Sequence, residues 1–586
     1  MAGELPTNAE IADRFALLGD LLEIEGAVRH RVLAYRRAAA RVRSTPASVA
    51  AMAVAGRATD LPDIGATLQS KIAELTETGT IAALDAIRER VPEGLAAIAG
   101  LEGIGPKRAV ALWRDLGVTD VEQLAQAVAD GRLGEVSGFG PATRDRLVEQ
   151  LAQRAARGAD HAERIPLGRA LPLAEEIAAD LRAAVPGARV EVAGSLRRGR
   201  ESVHDIDIVA ATDRPAALQD ALAANTAVER VLSRGDAAMA VATHVGVRIE
   251  LAIGPPGSFG NLLQHATGSA AHNVRLRELA VRRGLSVSQH GIAGPEGTAA
   301  MADEDGVYAA LGLAPIPPEL REDAGEIEAA QSGPLEPLVA LPDIRGELHS
   351  HTTWSDGTLG VTAMVEAARA LGYGYLAISD HSRSLAMAGG LDADRVRRQW
   401  EEIDEENARR SDITVLKATE VDILADGRID FDDELLAGFD WVTASIHSAL
   451  TQDAERITRR VLAAVESPFV DTIGHPTGRM LGRRDAAPVD IGRLAEAAAR
   501  TGTLLEINGQ PRRLDLDSQM ARRALAAGAR LTIGADAHSA EALGYIRFGV
   551  LVARRAGARP DQVANTAEWP ALAAARAGRL RAAGLY

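Results

Sequence analysis

One stretch decides how the centre of this chain folds: Gly194-Ser195-Leu196-Arg197-Arg198-Gly199-Arg200-Glu201-Ser202-Val203-His204-Asp205-Ile206-Asp207-Ile208-Val209. Alternating residues over 188–193 predict a strand, the Gly-Ser pair predicts a turn, and the run from Asp205 predicts a second strand. Residues two apart on a strand share a face, so Asp205 and Asp207 lie side by side. Two neighbouring carboxylates favour a hard divalent cation such as Mg²⁺, which keeps ligand positions for substrate phosphates.

The turn between these strands suits a polyphosphate, because its glycine exposes backbone N–H groups and three arginines follow within six residues. An isolated Asp-x-Asp is more often a solvated strand edge, but here it follows Gly-Ser and an arginine cluster. The stretch resembles the Gly-Ser…Asp-x-Asp signature of the nucleotidyltransferase superfamily. Together with Gly268-Ser269…His272-Asn273 downstream, it resembles the family X DNA polymerases.

That resemblance implies a palm site that joins dNTPs to a DNA primer. It implies that Asp205, Asp207 and Glu250 are the catalytic carboxylates and hold two Mg²⁺ or Mn²⁺ ions. One ion would activate the primer 3′-hydroxyl and the other would accompany the triphosphate. The nucleotide-binding residues that the resemblance implies are Gly194, Ser195, Arg198, Gly268, Ser269 and Asn273.

Several palm positions depart from the family's pattern. Glu250 stands where the family usually has Asp, and one extra methylene moves a carboxylate by about 1 Å, which costs on the order of 10²-fold in rate. His204 replaces a glycine, and Ala270 replaces a lysine that bacterial members often carry. His265-Ala266 stand where the family has Tyr-Phe against the incoming sugar. The alternative is therefore a palm that only binds DNA or nucleotide weakly.

Length and composition restrict the class of protein. A chain of 586 residues predicts about three to five domains. No apolar run approaches the roughly 20 residues of a membrane span, and no export signal or cysteine is present, so we expect a cytoplasmic monomer that does not bind membranes. The net charge of −16 does not favour nucleic acid, so any DNA contact must come from local Lys/Arg patches and backbone N–H groups.

The N-terminal third is predicted to be helical, beginning with a periodic stretch over 8–43. Three glycine-containing loops then separate helices: Leu61-Pro62-Asp63-Ile64-Gly65, Leu101-Glu102-Gly103-Ile104-Gly105-Pro106-Lys107-Arg108 and Val136-Ser137-Gly138-Phe139-Gly140-Pro141. Their amides and the following helix N-termini suit a DNA phosphate without reading sequence, although ordinary helix connections remain an alternative. The loops resemble helix-hairpin-helix elements, and the expected DNA-binding residues are Gly65, Gly103, Gly105, Lys107, Gly138 and Gly140.

Lys71 follows the first of these loops. It stands where the DNA polymerase β branch, which the chain resembles, carries a lysine that forms a Schiff base. An amine forms an imine with an abasic-site aldehyde, whereas a guanidinium does not. A lyase role and a simple phosphate contact both remain open for Lys71.

Beyond residue 342, apolar runs alternate with helical stretches seven times. Regular βα alternation predicts a parallel barrel whose chemistry lies at the carboxyl ends of the strands. Six of the seven predicted strands end in His, Asp or Glu, and a repeated pattern of this kind is unlikely to arise by chance. Imidazole and carboxylate without thiolate suit Zn²⁺, Mn²⁺ or Fe.

This half of the chain resembles the polymerase and histidinol phosphatase (PHP) domain. The resemblance implies a cluster of up to three metal ions, which would be Mn²⁺, Zn²⁺ or Fe, with Glu420 bridging them. The metal cluster would activate water for phosphoester hydrolysis. Arg345, Ser355, Arg383 and Glu506 are further candidates for contact with the substrate phosphate. The nine metal ligands that the resemblance implies are His349, His351, Asp356, His381, Glu420, His447, His475, Asp536 and His538.

The predicted fold is multidomain: a helical helix-hairpin-helix N-terminal region, an α+β nucleotidyltransferase palm with a thumb, and a distorted (βα)7 PHP barrel. The expected boundaries are 1–90 for a small helical DNA-binding domain with the first hairpin, 91–164 for a second helix-hairpin-helix domain, 165–258 for the palm, 259–314 for the thumb-like subdomain, 315–342 for a linker and 343–586 for the PHP domain.

The resemblance as a whole implies a bacterial DNA polymerase that fills short gaps in repair and whose barrel removes nucleotides from DNA 3′ ends. Its substrates would be gapped or primer–template DNA and dNTPs. The first alternative is a repair nuclease with a degenerate palm. Two others are a small-molecule phosphatase of the histidinol phosphate type, which leaves the hairpins unexplained, and a DNA-holding scaffold without catalysis.

Overall fold

A computed structural model of the chain describes residues 5–101, 104–136, 139–140, 147–148, 151 and 164–585. The chain folds as two compact units. The first comprises residues 1–165, 169–192 and 204–256, and the second comprises residues 166–168, 193–203 and 257–586. Among the described residues, no helix combines the length and the hydropathy that crossing a bilayer requires.

The first unit begins with helices that share one apolar core. The stretch 8–43 is two helices rather than one, because Gly26 adopts a left-handed φ of 92° and ends the first helix. Phe15 and Tyr35 then pack edge to face across the pair. The helices up to residue 223, outside the short Gly194–Arg197, are Asn8–Glu25, Arg29–Ser44, Val49–Val54, Ala66–Thr78, Ala82–Arg88, Leu95–Ala99, Gly105–Leu116, Val121–Ala129, Leu167–Ala184 and Pro215–Ala223.

A five-stranded sheet completes the first unit, in the order β2-β4-β7-β6-β5. Strand β4 alternates half-buried carboxylates with buried Ile206 and Ile208, so one face of the strand packs and the other carries acids. It runs parallel to β7 and antiparallel to β2. The strands up to residue 254 are β1 (Ile165–Pro166), β2 (Arg189–Val192), β3 (Ser202–Val203), β4 (Asp205–Ala211), β5 (Val228–Arg234), β6 (Ala238–Thr243) and β7 (Arg248–Gly254).

The second unit contains a small α+β region and a larger barrel. The small region has helices Phe259–Thr267, Ala270–Arg282, Glu304–Ala310 and Glu326–Ser332, with strands β8 (Ser286–Ser288), β9 (Gly291–Gly294) and β10 (Gly297–Ala299). Residues 315–342, which we expected to be a linker, hold the last of these helices. Ile316 and Ile327 from this stretch pack with Leu276 and Tyr308 in one core.

The barrel is a seven-stranded parallel sheet in sequence order. Its strands are β11 (Gly346–Ser350), β12 (Tyr375–Ile378), β13 (Thr414–Asp422), β14 (Trp441–Ser445), β15 (Thr472–Gly474), β16 (Leu504–Asn508) and β17 (Leu531–Gly534). A parallel bridge between Ser350 and Ala537 brings the end of the sheet back to its beginning. Because both faces are covered, six of these strands, all except β13, consist entirely of buried residues.

Helices connect the barrel strands as the sequence predicted. They are Val361–Ala370, Ala393–Arg409, Asp433–Ala437, Ala454–Val465, Ile491–Thr501, Ser518–Ala526, Ile546–Ala556 and Trp569–Ala582. Several begin with an aspartate whose carboxylate accepts a hydrogen bond from a backbone N–H of the first turn, as Asp392 and Asp453 do. The predicted fold class, with helical N-terminal region, palm and thumb, and a (βα)7 barrel, is confirmed.

Candidate functional site

The nine side chains predicted as metal ligands meet at the carboxyl-terminal edge of the barrel. All nine fall into four groups whose ligand atoms lie within 4.8 Å of one another. These groups are His351, Asp356, His381 and His538; His349, His351 and Asp536; His349, Glu420 and His475; and His381, Glu420 and His447. His349, His351, His381 and Glu420 each belong to two of the four groups, so the groups form one continuous centre.

Glu420 lies in the middle of this centre and is almost fully buried. Its Oε1 is 2.7 Å from Nε2 of His475 and 3.3 Å from Nε2 of His447. Its Oε2 is 2.9 Å from Nδ1 of His381 and 3.4 Å from Nε2 of His349. A carboxylate with imidazoles on both oxygens is placed to bridge two cations.

Two aspartates complete the other side of the centre. Oδ1 of Asp536 is 3.3 Å from Nε2 of His351. Oδ1 of Asp356 is 3.3 Å from Nε2 of His538 and 3.6 Å from Nε2 of His381. Asp356 and His538 are about one-third exposed, whereas the other seven residues are more deeply buried, so the centre opens to solvent at this pair.

Buried polar atoms without a hydrogen-bond partner show that these residues fit metal ions. They include Nε2 of His349, both ring nitrogens of His351 and of His475, Nδ1 of His381, Nε2 of His447 and both oxygens of Glu420. Buried polar groups are normally paired, because each unpaired one costs about 1–3 kcal/mol. So many unpaired nitrogen and oxygen atoms of ligand type, aimed at each other, fit a site for metal cations.

The electrostatics of the centre also favour cations. Burial disfavours charge on Glu420, but the surrounding imidazoles outweigh it and hold the pKa of that carboxyl well below its usual value. Burial, together with His538 and His381, lowers the pKa of His351 to about 3. At neutral pH the carboxylates are therefore ionised, as metal ligands must be. Burial opposes charge on His447 and on His538, but Glu420 and Asp356 outweigh it and raise the pKa of each imidazole to about 9, so a bound cation would displace these protons.

Outer partners orient the ligands. Glu506, a candidate for phosphate contact, instead lies behind the centre, where it accepts hydrogen bonds from Nδ1 of His349 at 2.7 Å and from the backbone N–H of His475 at 2.7 Å. A Cβ on Gly534 would lie 2.3 Å from Glu506 Oε1, so only glycine leaves room for that carboxylate. Oδ1 of Asp422 lies 3.1 Å from Nδ1 of His447 in the same way.

Backbone geometry at two ligands departs from the usual regions. His475 has a φ of 27° and Asp536 a φ of 51°, which non-glycine residues rarely adopt. Such conformations persist where the surrounding structure fixes them, and they cluster at functional sites.

The other candidates for phosphate contact, Arg345, Arg383 and Ser355, each contact an acidic side chain, and Oγ of Ser355 also lies 3.3 Å from Oδ1 of the predicted ligand Asp356. Arg345 is half exposed, with Nε 3.7 Å from Glu568, and Nε of Arg383 lies 3.4 Å from buried Asp430. Ser355 donates to Asp380, which also accepts from Thr352 and so fixes the loop after β11.

In the palm, parallel register places Asp207 of β4 opposite Glu250 of β7, and Asp205 opposite Arg248. Nη2 of Arg248 lies 2.6 Å from Oε1 of Glu250, so an arginine occupies the third carboxylate. Within the described residues, the three palm carboxylates are not among the groups whose ligand atoms converge within 4.8 Å.

The predicted nucleotide-binding residues of the second unit are tied together by arginines. Arg197 donates to Thr267 Oγ1 and forms a bidentate ion pair with Glu304. Arg198, beside the short helix Gly194–Arg197, donates to the Thr267 carbonyl next to Gly268 and to Glu322. These contacts hold the turn that contains Gly194 and Ser195 against the end of helix Phe259–Thr267.

Ser269 and Asn273, which follow Gly268 in the chain, are held by hydrogen bonds of their own. The backbone N–H of Ser269 donates to the Arg321 carbonyl, and its hydroxyl accepts from the His272 N–H at the start of helix Ala270–Arg282. Asn273 donates to the His265 carbonyl and accepts from Gln264.

The described hairpin residues lie at helix starts. Gly65 precedes helix Ala66–Thr78, which carries half-buried Lys71, and Gly105 begins helix Gly105–Leu116 with a φ of 62°. Lys107 and Gly140 are exposed, whereas Gly103 and Gly138 lie outside the described residues.

Family models match most of the chain in the predicted order. A helix-hairpin-helix domain matches residues 6–81, a SAM-like helix-hairpin-helix tandem 95–153, the DNA polymerase beta thumb 262–322 and the PHP domain 347–510. The DNA polymerase/3′-5′ exonuclease PolX of Bacillus subtilis (strain 168) is 36% identical over 548 residues, which cover 93% of this chain and 95% of that protein.

The chain belongs to the family X DNA polymerases with a PHP domain.

Several proteins named as probable phosphatases match a smaller part of this family X polymerase. A probable phosphatase of Thermoanaerobacter sp. (strain X514) is 30% identical over 164 residues, 26% of this chain and 64% of that protein. One of Caldanaerobacter subterraneus subsp. tengcongensis is 35% identical over 136 residues, 22% of this chain and 51% of that protein. Membership of the family, with its hairpin, thumb and PHP domains, implies that the chain binds DNA and depends on divalent metal ions.

Proposed function

We propose that this family X polymerase removes nucleotides from DNA 3′ ends in its barrel and extends DNA primers in its palm. The observation that carries the proposal is the convergence of nine ligand side chains around Glu420. The B. subtilis relative, named as both a polymerase and a 3′–5′ exonuclease, supports both halves. The phosphate of a DNA end is the substrate class that suits such a centre.

In the barrel, His349, His351, Asp356, His381, Glu420, His447, His475, Asp536 and His538 would hold up to three Mn²⁺, Zn²⁺ or Fe ions. Bound divalent ions supply an activated water and neutralise charge on the phosphate oxygens. The chain's own part is to fix the ligands: Glu506 orients His349, and Asp422 orients His447. The pair Asp356 and His538, about one-third exposed, marks the side on which a DNA end enters.

In the palm, Asp205, Asp207 and Glu250 would hold Mg²⁺ or Mn²⁺ with the dNTP, and Gly194, Ser195, Arg198, Gly268, Ser269 and Asn273 would bind the nucleotide. The register of Asp207 opposite Glu250 supports this assignment. The half-buried Lys71 is a candidate for lyase chemistry on abasic sites.

Gapped or primer–template DNA is the proposed partner. Helix starts at Gly65 and Gly105 would hold its phosphates through backbone N–H groups, beside exposed Lys107. We also propose that the protein acts as a monomer in the cytoplasm, where bacterial DNA is repaired. The domain boundaries predicted above are proposed to apply, except that residues 315–342 pack with the thumb-like subdomain instead of forming a linker.

Separation of function tests the proposal. A 5′-labelled primer on a gapped template is incubated with Mn²⁺, with and without dNTPs. We expect Asp207→Ala to lose primer extension and keep shortening, and His351→Ala to do the reverse. Exposed Asp236→Ala and His290→Ala are matched controls and retain both activities. Loss of both activities in one site variant, or neither activity in the parent protein, would contradict the assignment.

A second candidate is a repair nuclease whose palm only binds DNA. It is favoured by the ion pair between Arg248 and Glu250, in which a guanidinium engages the carboxylate that is expected to bind metal. The same experiment separates the two: this candidate predicts primer shortening by the parent protein and no extension at any Mn²⁺ concentration.

A further inference from the structure

Six of the seven barrel strands lead into predicted metal ligands, and β16 is the exception. It ends at Asn508, and the loop after it carries Arg513. Nε of Arg513 lies 3.2 Å from Oδ2 of the ligand Asp536, and the Arg513 side chain is 17% exposed. The remaining strand, β16, therefore leads into a positively charged side chain at the same edge of the barrel.

The two oxygens of Asp536 have different neighbours. Oδ1 faces His351 at 3.3 Å, on the side of the ligand groups. Oδ2 faces Arg513 at 3.2 Å and accepts a hydrogen bond from Asn508 Nδ2 at 3.2 Å. Arg513 therefore contacts Asp536 through Oδ2, whereas His351 of the ligand groups faces Oδ1.

The backbone around Arg513 is firmly held. Its N–H donates to the Gln510 carbonyl at 2.7 Å, and Leu514 and Asp515, which follow it, are fully buried. A guanidinium has five N–H donors in a planar fork, and the contact with Asp536 engages one end of that fork. Arg345 and Arg383, in contrast, are directed to Glu568 and Asp430.

We propose that Arg513 is a substrate-binding residue of the barrel, whose guanidinium holds an oxygen of the terminal phosphate beside the ligand Asp536. The proposal rests on the phosphoesterase function proposed above and adds the residue that recognises the phosphate. The planar guanidinium has N–H groups beyond the one that contacts Asp536, and their geometry matches the phosphate oxygens. An ion pair between a guanidinium and a phosphate is strong when it is partly shielded from water.

A purely structural role is the competing explanation. Arg513 lies beside Asp536, and its charge also acts on the buried carboxyl of Asp515. In that case Arg513 would only hold Asp536 in place, and its replacement would cost metal ions and turnover rather than affinity for a phosphate.

The affinity of the Mn²⁺-loaded full-length protein for dTMP, a product of the proposed reaction, separates the two roles. Titration calorimetry gives the Kd of dTMP, and mass spectrometry gives the Mn²⁺ content. We expect Arg513→Gln to keep its Mn²⁺ and to weaken dTMP binding by about 10- to 100-fold. Arg513→Lys keeps the charge but not the fork, so it recovers part of the loss. The neighbouring and exposed Arg512→Gln leaves the Kd unchanged.

Hydrolysis of the p-nitrophenyl ester of thymidine 5′-monophosphate supplies the second readout. We expect Arg513→Gln to raise KM by a similar factor and to change kcat less. An unchanged Kd for dTMP, or a loss of Mn²⁺ with a fall in kcat alone, would overturn the inference. If the parent protein shortens no DNA end but binds dTMP in an Arg513-dependent way, the proposed function fails and the inference about Arg513 stands.

Discussion

Nδ1 of His349 donates a hydrogen bond to Oε1 of Glu506 at 2.7 Å, which turns Nε2 of His349 towards Glu420 at 3.4 Å. Both residues are buried, and Glu506 also accepts from the backbone N–H of His475. The Glu506 carboxylate therefore fixes His349 through its ring and His475 through its backbone N–H. Partners of this kind set the ring orientation and basicity of a metal ligand.

Replacing Glu506 with Gln is expected to weaken metal binding by about 10- to 100-fold, because the amide makes His349 less basic and less well oriented. Competition with a chromogenic chelator measures the affinity for Mn²⁺ or Zn²⁺. Exposed Glu496→Gln on helix Ile491–Thr501 is the matched control and should bind metal like the parent protein. Equal affinity in both variants would show that Glu506 does not position the ligand.

The ion pair between Glu201 and Arg479 is expected to stabilise the second unit. It is bidentate, with distances of 2.6 and 3.2 Å, and Arg479 is 10% exposed. Glu201→Gln leaves a buried guanidinium poorly paired, so we expect a loss of about 1–3 kcal/mol in the free energy of unfolding in urea.

Exposed Glu191→Gln is the control for this pair. Glu191 is 52% exposed and lies 3.6 Å from Arg182, so its replacement should cost well under about 1 kcal/mol. A cost for Glu201→Gln as small as that of the control would show that the buried pair contributes little.

His272 is expected to make the thumb region less stable in acid. It is fully buried, with Nδ1 2.7 Å from Glu326 and Nε2 3.1 Å from Tyr308. Burial lowers the pKa of His272, and the opposing effect of Glu326 is smaller. Below about pH 6.5 the unfolded chain takes up a proton that the folded state refuses, so stability falls as the pH falls.

Hydrogen exchange in helix Ala270–Arg282 measures this effect. Between pH 7.5 and 5.5 the parent protein should lose about 1 kcal/mol more protection than His272→Asn. The exposed His290→Asn should behave like the parent. An identical loss in His272→Asn and the parent protein would show that His272 does not cause the acid sensitivity.

The barrel and the convergence of its nine predicted ligands were predictable because local signals repeat. Each strand is a short apolar run, and a parallel sheet brings the residue after each run to one edge. His381 and His475 therefore both reach Glu420, although nearly a hundred residues separate the two histidines. The register of Asp207 and Glu250 likewise follows from two strands that lie side by side.

Other features depend on side-chain contacts that spacing does not encode. Glu506 precedes Asn508 by two residues at the end of β16, and nothing in that spacing shows that its carboxylate turns behind His349. The ion pairs of Arg248 and Arg513 are equally invisible in sequence. The glycine at position 26 is a signal for the end of the first helix. The apolar residues nevertheless keep their helical spacing on both sides of Gly26, which predicted a single helix.

The central claim is that ions gathered around Glu420 cleave DNA 3′ ends, and the length of a labelled primer tests it most directly. A 5′-labelled primer on gapped DNA is incubated with Mn²⁺-loaded protein and no dNTPs, beside Glu420→Gln and the exposed control Glu434→Gln. We expect progressively shorter products with the parent and with the control, and none with Glu420→Gln or after chelation. A primer that keeps its full length with the metal-loaded parent protein would contradict the account.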